Sequence, residues 1–401
     1  MSPRYTLTEV MEGRWWIGAV AFAVSLAATP VFRALAYRFR IVDRPDDLLK
    51  PHARPIAYLG GVAMYLGLLA GLGCYVAVMP GLAGHGRQLA NDLAAGRIGS
   101  VGANPLWNAL AVALACLVIM IVGLLDDLRD LRPRAKVLGQ VAAAGILLAG
   151  GIGTRMATVF FGFTGWAPPE WVLVPLSVLV CLLAVTAACN ATNLLDGLDG
   201  LCGGVTGIIA VGFLALAVWL AMWGRHPGKD EIRVVLCLAM AGAVWGFLPY
   251  NIPPASIFMG DAGSMLLGFF VATMLALFCV EATVRWLLAA VIIFALPILD
   301  TALAVVRRFL AGRSIFAGDR SHLYDQLVDR GMSVRRVVGL FYLLAVVAAV
   351  MGVALAIVLR TRYAIGIYLV LFGGVWVLFW RLGMIRPEPG PGGPHPPEHE
   401  E

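Results

Sequence analysis

The sequence predicts an all-α, polytopic integral membrane protein with about eleven transmembrane helices and its functional residues on loops at the cytoplasmic face. Three observations predict it: an apolar composition, a series of apolar runs of membrane-spanning length, and polar clusters confined to alternate loops. The 401-residue chain is 60% hydrophobic and only 13% charged, against roughly half and about a quarter in soluble domains.

A spanning helix needs about 20 mostly apolar residues. Such runs occupy residues 15–36, 57–78, 106–125, 137–152, 171–189, 201–223, 234–250, 264–281, 286–306, 337–359 and 363–382. The first is longer than a signal-peptide apolar region and follows Glu9 and Glu12 as well as Arg4 and Arg14, so it is expected to be retained. The seven cysteines lie in or beside these runs without metal-ligand spacing and read as small buried residues. No period of tens of residues repeats, which argues against a duplicated transporter. Residues 1–385 therefore form one membrane domain. Residues 386–401, RPEPGPGGPHPPEHEE, read as a disordered tail in which His395 and His399 are solvated.

Orientation follows from the cations. The loops after odd-numbered runs, with the tail, hold 18 of the 30 Lys and Arg residues; the opposite side holds 11, and Arg33 lies inside the first run. Positive-inside reasoning places the N-terminus outside and the C-terminus and the odd loops in the cytoplasm, in a plasma membrane. A net charge of +6 distributed in this way gives no nucleic-acid signature.

The outer loops are plain, whereas five inner clusters carry chemistry. Residues 43–61, DRPDDLLKPHARPIAYLGG, set Lys50, His52 and Arg54 beside a helix, a basic group suited to a phosphate or simply to anchoring. Residues 123–140, GLLDDLRDLRPRAKVLGQ, end one helix on Asp126 and Asp127 and start the next near Lys136. Adjacent carboxylates repel unless a cation or a proton compensates, so the pair suits a divalent metal or proton abstraction. Residues 190–204, NATNLLDGLDGLCGG, are more specific: Asn190, Asn193, Asp196 and Asp199 stand between two apolar helices among glycines. Polar groups there are costly and signal function.

Residues 251–269, NIPPASIFMGDAGSMLLGF, begin with Asn251 and place Asp261 at a helix start, where unpaired N–H groups welcome phosphate oxygens and a carboxylate can hold a metal or cap the helix. Residues 297–331 form the longest inner segment, with Arg307, Arg308, Arg313, Arg320 and His322 making a cationic region fit for a pyrophosphate. Of the 24 carboxylates, 13 fall in these segments and 7 on the other side. That asymmetry favours a one-sided catalytic centre over a through-channel; a transporter or lipid flippase, the rival reading, would carry ionisable groups near helix midpoints, where few stand.

The order DD, NATNLLDGLDGL, IFMGDAGS and a late basic-His segment, over residues from about 43 to about 336, resembles the polyprenyl-phosphate N-acetylhexosamine-1-phosphate transferases. These include phospho-MurNAc-pentapeptide translocase and the GlcNAc-1-phosphate transferases that begin envelope polysaccharides. The resemblance implies a UDP-sugar and a polyprenyl phosphate as substrates, Mg²⁺ (or Mn²⁺) as cofactor, and UMP as product; a homodimer is an assembly to test. It implies that Asp126 and Asp127 lie near the lipid phosphate with Asp126 as base, that Lys136 is the lysine that follows them, that Asp196, Asp199 and Asn251 contact substrate, and that Asp261 binds the metal. Lys136 is expected in the substrate-binding set, as are Asn190 and Asn193 from their own cluster. Lys50, His52 and Arg320 join the substrate-binding set, and His322 matches the first catalytic histidine of the late segment. Where the family often carries further histidines, this chain has Tyr324 and Asp325, which favours a GlcNAc-type enzyme over the peptidoglycan translocase.

Overall fold

The computed structural model describes residues 3–43, 55–79, 81–162, 166–224, 227–280, 283–312, 322–358 and 361–385. The Pro/Gly-rich tail, and Lys50, His52 and Arg320 among the expected site residues, lie outside them.

The chain opens with a short helix α1 (Leu7–Met11) and the long α2 (Trp15–Phe39). Strand β1 (Val42–Asp43) pairs antiparallel with β2 (Ile56–Ala57) ahead of α3 (Gly60–Val78). Helices α4 (Leu82–Ala94) and α5 (Ile98–Val101) lead to α6 (Pro105–Arg129) and α7 (Pro133–Ala149). A short α8 (Thr158–Phe161) precedes α9 (Glu170–Leu194), α10 (Leu201–Trp223), α11 (Pro227–Asn251) and α12 (Gly260–Cys279). The last part holds α13 (Val284–Ile293), α14 (Ala295–Leu310), α15 (Leu323–Asp329), α16 (Val334–Val358) and α17 (Thr361–Arg381).

Among the described residues, eight helices are long and apolar enough to cross a membrane, or nine if α13 and α14 count as one broken span. Three apolar runs behave differently from simple spans. The run at 137–152 becomes α7, whose 17 residues reach only about 26 Å at 1.5 Å per residue, short of a hydrocarbon core of about 30 Å. The run at 363–382 becomes α17, where only the short stretch Ile365–Arg381 reads as apolar helix. The run at 286–306 bends by 75° between α13 and α14. Pro297 explains the break: it falls in the first turn of α14, where its missing N–H is tolerated, while a continuous helix would leave the Ile293 carbonyl unbonded.

Local sequence sets the helix ends that matter. Asn104 caps α6 through Oδ1, accepting from the backbone N–H of Leu106 (3.0 Å) and Trp107 (3.4 Å), with Pro105 at the first helical position; this pairing of cap and proline favours a helix start. In α2, Pro30 cannot donate to the Leu26 carbonyl, and the Tyr250 hydroxyl of α11 donates to that carbonyl instead, at 3.2 Å. Ser25 donates to the Ala243 carbonyl at 2.7 Å, fastening the same two helices.

Helix α12 is the centre of the bundle: its whole apolar stretch is buried, packed by α3, α6 and α9. Small residues let membrane helices approach closely. A Cβ on Gly123 would clash with the Asp261 backbone, and one on Gly268 with Ala188 and Cys189. Gly123 thus permits the end of α6, carrying Asp126 and Asp127, to lie directly on the start of α12. Six of the seven cysteines are buried and all are free.

Candidate active site

The ends of α6, α9 and α11 and the starts of α7, α10 and α12 meet at one end of the bundle, tied by side-chain hydrogen bonds. Three segments far apart in sequence therefore share one place.

Asp261, on the first turn of α12, is its hub. Lys136 Nζ lies 2.9 Å from Asp261 Oδ2 and also pairs with Asp126 Oδ2. Asn193 Nδ2 donates to Asp261 Oδ1 at 2.7 Å and to Ser264 Oγ at 3.0 Å. Asp126 is fixed a second time, its Oδ1 accepting the Leu131 N–H at 2.8 Å. Asp127 faces the helix end itself: its two oxygens accept the backbone N–H groups of Asp261 (2.8 Å) and Ala262 (3.1 Å), donors that no helical carbonyl can satisfy.

The Asp-Gly loop after α9 is clamped to the segment after α11. Asp199 Oδ2 accepts the Ala255 N–H at 2.8 Å, and Asn251 accepts from Gly200 N–H while donating to the Ile257 carbonyl, each at 3.1 Å. Asp196 makes no such bond with a described residue. Burial, and then the charges of Asp261, Asp127 and Asp199, hold its carboxyl well above the usual range.

These groups border a cavity of about 1060 Å³ lined by Asp127, Asp196, Asp199, Asn251 and Asp261, by Tyr58 and Phe258, and by Pro30, Arg33 and Tyr37 of α2. That volume stands at the upper end of small-molecule sites. Burial, with the nearby charges of Asp43, Asp127 and Asp261, raises the Tyr58 phenol above its ordinary range, so it stays a neutral donor beside Phe258, whose ring centroid is 5.9 Å away.

Two expected residues lie elsewhere. Asn190, three residues before Asn193 on α9, donates to the Thr186 carbonyl (2.7 Å) and to Gln140 of α7 (3.3 Å) and does not border the cavity. His322 is also outside the lining. Its Nδ1 lies 2.8 Å from Asp300 Oδ2, whose other oxygen accepts the Leu323 N–H at 2.6 Å. The His322 ring stacks on Tyr324, with centroids 5.5 Å apart and planes at 6°, and the Tyr324 hydroxyl donates to the Leu194 carbonyl at 3.0 Å, so His322 reaches the Asp-Gly loop through Tyr324.

Sequence reasoning missed Asp300 as the partner of His322, and missed the cavity side chains Tyr58, Phe258 and Arg33. Tyr58 and Phe258 stand inside the clusters at 43–61 and 251–269, and Arg33 was visible as a lone cation in an apolar run; each signal was present without its tertiary partner.

A Mg²⁺ ion fits this donor set. Each carboxylate oxygen offers about two acceptor positions, so Lys136 and Asn193 leave capacity on Asp261, and Asn193 Oδ1 accepts no hydrogen bond from a described residue. No three His, Cys, Asp or Glu side chains are grouped to hold a metal alone among the described residues. Mg²⁺ usually takes one or two carboxylates plus substrate phosphates and water, which this site can provide.

The sequence profile of glycosyl transferase family 4 matches residues 109–279. A decaprenyl-phosphate N-acetylglucosaminephosphotransferase of Mycolicibacterium smegmatis is 33% identical over 342 residues, covering 82% of this chain and 78% of the relative. A probable undecaprenyl-phosphate N-acetylglucosaminyl 1-phosphate transferase of Bacillus subtilis is 30% identical, covering 84% of each. A phospho-N-acetylmuramoyl-pentapeptide-transferase of Mycobacterium avium is 31% identical, covering 84% of this chain and 95% of the relative.

Proposed function

Because the chain belongs to glycosyl transferase family 4, we propose that it transfers N-acetylglucosamine-1-phosphate from UDP-GlcNAc to a polyprenyl phosphate. The products are UMP and a polyprenyl-diphosphate-linked sugar that can begin an envelope polysaccharide. The observation that carries this reading is the convergence of Asp127, Asp196 and Asp261 on one cavity with Lys136 and Asn193 directly behind Asp261. The names of the relatives supply the substrate class.

In this mechanism a phosphate oxygen of the lipid attacks the β-phosphorus of UDP-GlcNAc in line. The new P–O bond forms as the bond between the β-phosphorus and the bridging oxygen breaks, and that oxygen leaves on UMP. Such a transfer rests on positioning and charge stabilisation. Asp261 and Asn193 Oδ1 would hold Mg²⁺, which supplies charge neutralisation to the diphosphate when bound.

The chain's own groups do the rest. Lys136, fixed between Asp126 and Asp261, keeps positive charge at the start of α12. The resemblance makes Asp126 the base, yet its two oxygens are engaged by Lys136 and the Leu131 N–H, an arrangement that orients Lys136. Asp196 borders the cavity with a raised proton affinity, and we assign to it the proton of a singly protonated lipid phosphate. The cation asymmetry supports a cytoplasmic position for this end of the bundle. Mass spectrometry of the lipid made from UDP-GlcNAc and undecaprenyl phosphate tests the assignment: a GlcNAc-diphosphate lipid supports it, and an unmodified lipid with folded protein overturns it.

A further inference from the structure

Pro30, Arg33, Ala34 and Tyr37 of α2 all border the cavity. Their spacing of three, four and seven residues from Pro30 is that of one helical face, so this face of α2 forms a wall of the site. Arg33 lies inside the first membrane span, Leu7–Phe39, six residues before the helix end at Phe39, or about 9 Å. A guanidinium at that depth is costly unless it faces a cavity and finds a counter-charge.

No described residue supplies that counter-charge. Arg33 makes no hydrogen bond or ion pair with any of them, although four carboxylates, Asp127, Asp196, Asp199 and Asp261, border the same cavity. Asp127 and Asp199 are committed to backbone N–H groups, and Asp261 to Lys136 and Asn193. Among the described residues bordering the cavity, Arg33 is the one cation. Its backbone is also held in place, because Tyr250 and Ser25 fasten this part of α2 to α11 and the Tyr37 hydroxyl donates to the Pro55 carbonyl at 3.2 Å.

We propose that Arg33 is a phosphate-binding residue of the cavity, its planar guanidinium taking the oxygens of a substrate phosphate. Arginine suits this task because its fork of donors matches phosphate geometry in a fixed orientation. The inference rests on the transferase reading for its ligands, a lipid phosphate and a nucleotide diphosphate, which share this chemistry.

The test is binding by the purified full-length protein, wild type against Arg33→Gln and Arg33→Met, in detergent with Mg²⁺. Each phosphate-bearing probe is paired with its phosphate-free counterpart: UDP-GlcNAc with uridine, and undecaprenyl phosphate with undecaprenol. Both variants should weaken one phosphate-bearing probe by about tenfold or more and leave its counterpart unchanged; the probe that loses affinity identifies the source. Removing an unpartnered charge should leave folding intact, and the apolar Met variant decides if the Gln variant is not recovered. Affinities for both phosphate probes within twofold of wild type, or an equal loss for the phosphate-free counterparts, would overturn the proposal. Since binding needs no turnover, a protein that fails to consume UDP-GlcNAc would refute the transferase reading without disturbing this comparison.

Discussion

Asp127 accepts the backbone N–H of Asp261 at 2.8 Å, so the acidic pair ending α6 and the carboxylate starting α12 are joined through the main chain. Asp127 is thereby a helix cap supplied by a neighbouring helix, and the close approach allowed by Gly123 makes the contact reachable.

Asp127→Ala should therefore destabilise the fold as loss of a cap does, by about 0.5–2 kcal/mol, and should misplace Asp261. Thermal unfolding in detergent is expected to show a lower Tm together with reduced kcat. An unchanged Tm would mean that water replaces the carboxylate at no cost.

Lys136→Met removes the cation shared by Asp126 and Asp261. Because Lys136 would share the Asp261 carboxylate with a bound Mg²⁺, the variant should need less Mg²⁺ for half-maximal activity while kcat falls about 100-fold or more, a loss of the size found when a charge-stabilising donor is deleted. A Mg²⁺ titration read against kcat separates the two effects; a higher Mg²⁺ requirement would show that Lys136 does not compete.

The proton assignment distinguishes two carboxylates. With Asp196 as acceptor, activity rises with pH as Asp196 loses its proton, so Asp196→Asn should lower kcat and remove the acidic limb of the kcat/KM profile. Asp126→Asn should lower kcat and leave that limb in place. The reverse pattern would return the role to Asp126.

Asp325 offers a stability test outside the spans. Burial raises its carboxyl to about 6, against a lowering by His322 through its charge and its backbone N–H. A carboxyl with a folded pKa above its unfolded value of about 3.9 binds more protons when folded, so its contribution favours folding at low pH and is lost as pH rises through that window to about 6. Asp325→Asn should flatten the Tm profile between about pH 4 and 6 and raise Tm at neutral pH. An unaltered profile would remove Asp325 as the source.

Much of this architecture was legible in the sequence because spans and site segments are local signals. Apolar runs located the long helices, and the segments around Asp126, Asn193 and Asp261 all converge. What escaped was pairing. Asn190 looked equivalent to Asn193, one helical turn away, yet α7 supplies Gln140 to it and α12 supplies Asp261 to Asn193. For His322 the unread partner was Asp300, 22 positions earlier, which holds the ring stacked on Tyr324. The 75° break after Ile293 had a local cue in Pro297, outweighed by an apolar composition that does not register bends.

The most direct test of the central claim is release of labelled UMP from UDP-GlcNAc by the purified protein with undecaprenyl phosphate and Mg²⁺, beside Asp261→Asn. The account predicts UMP release that requires both lipid and metal and is lost in the variant. Release that continues without the lipid phosphate, or at the wild-type rate in Asp261→Asn, would contradict it.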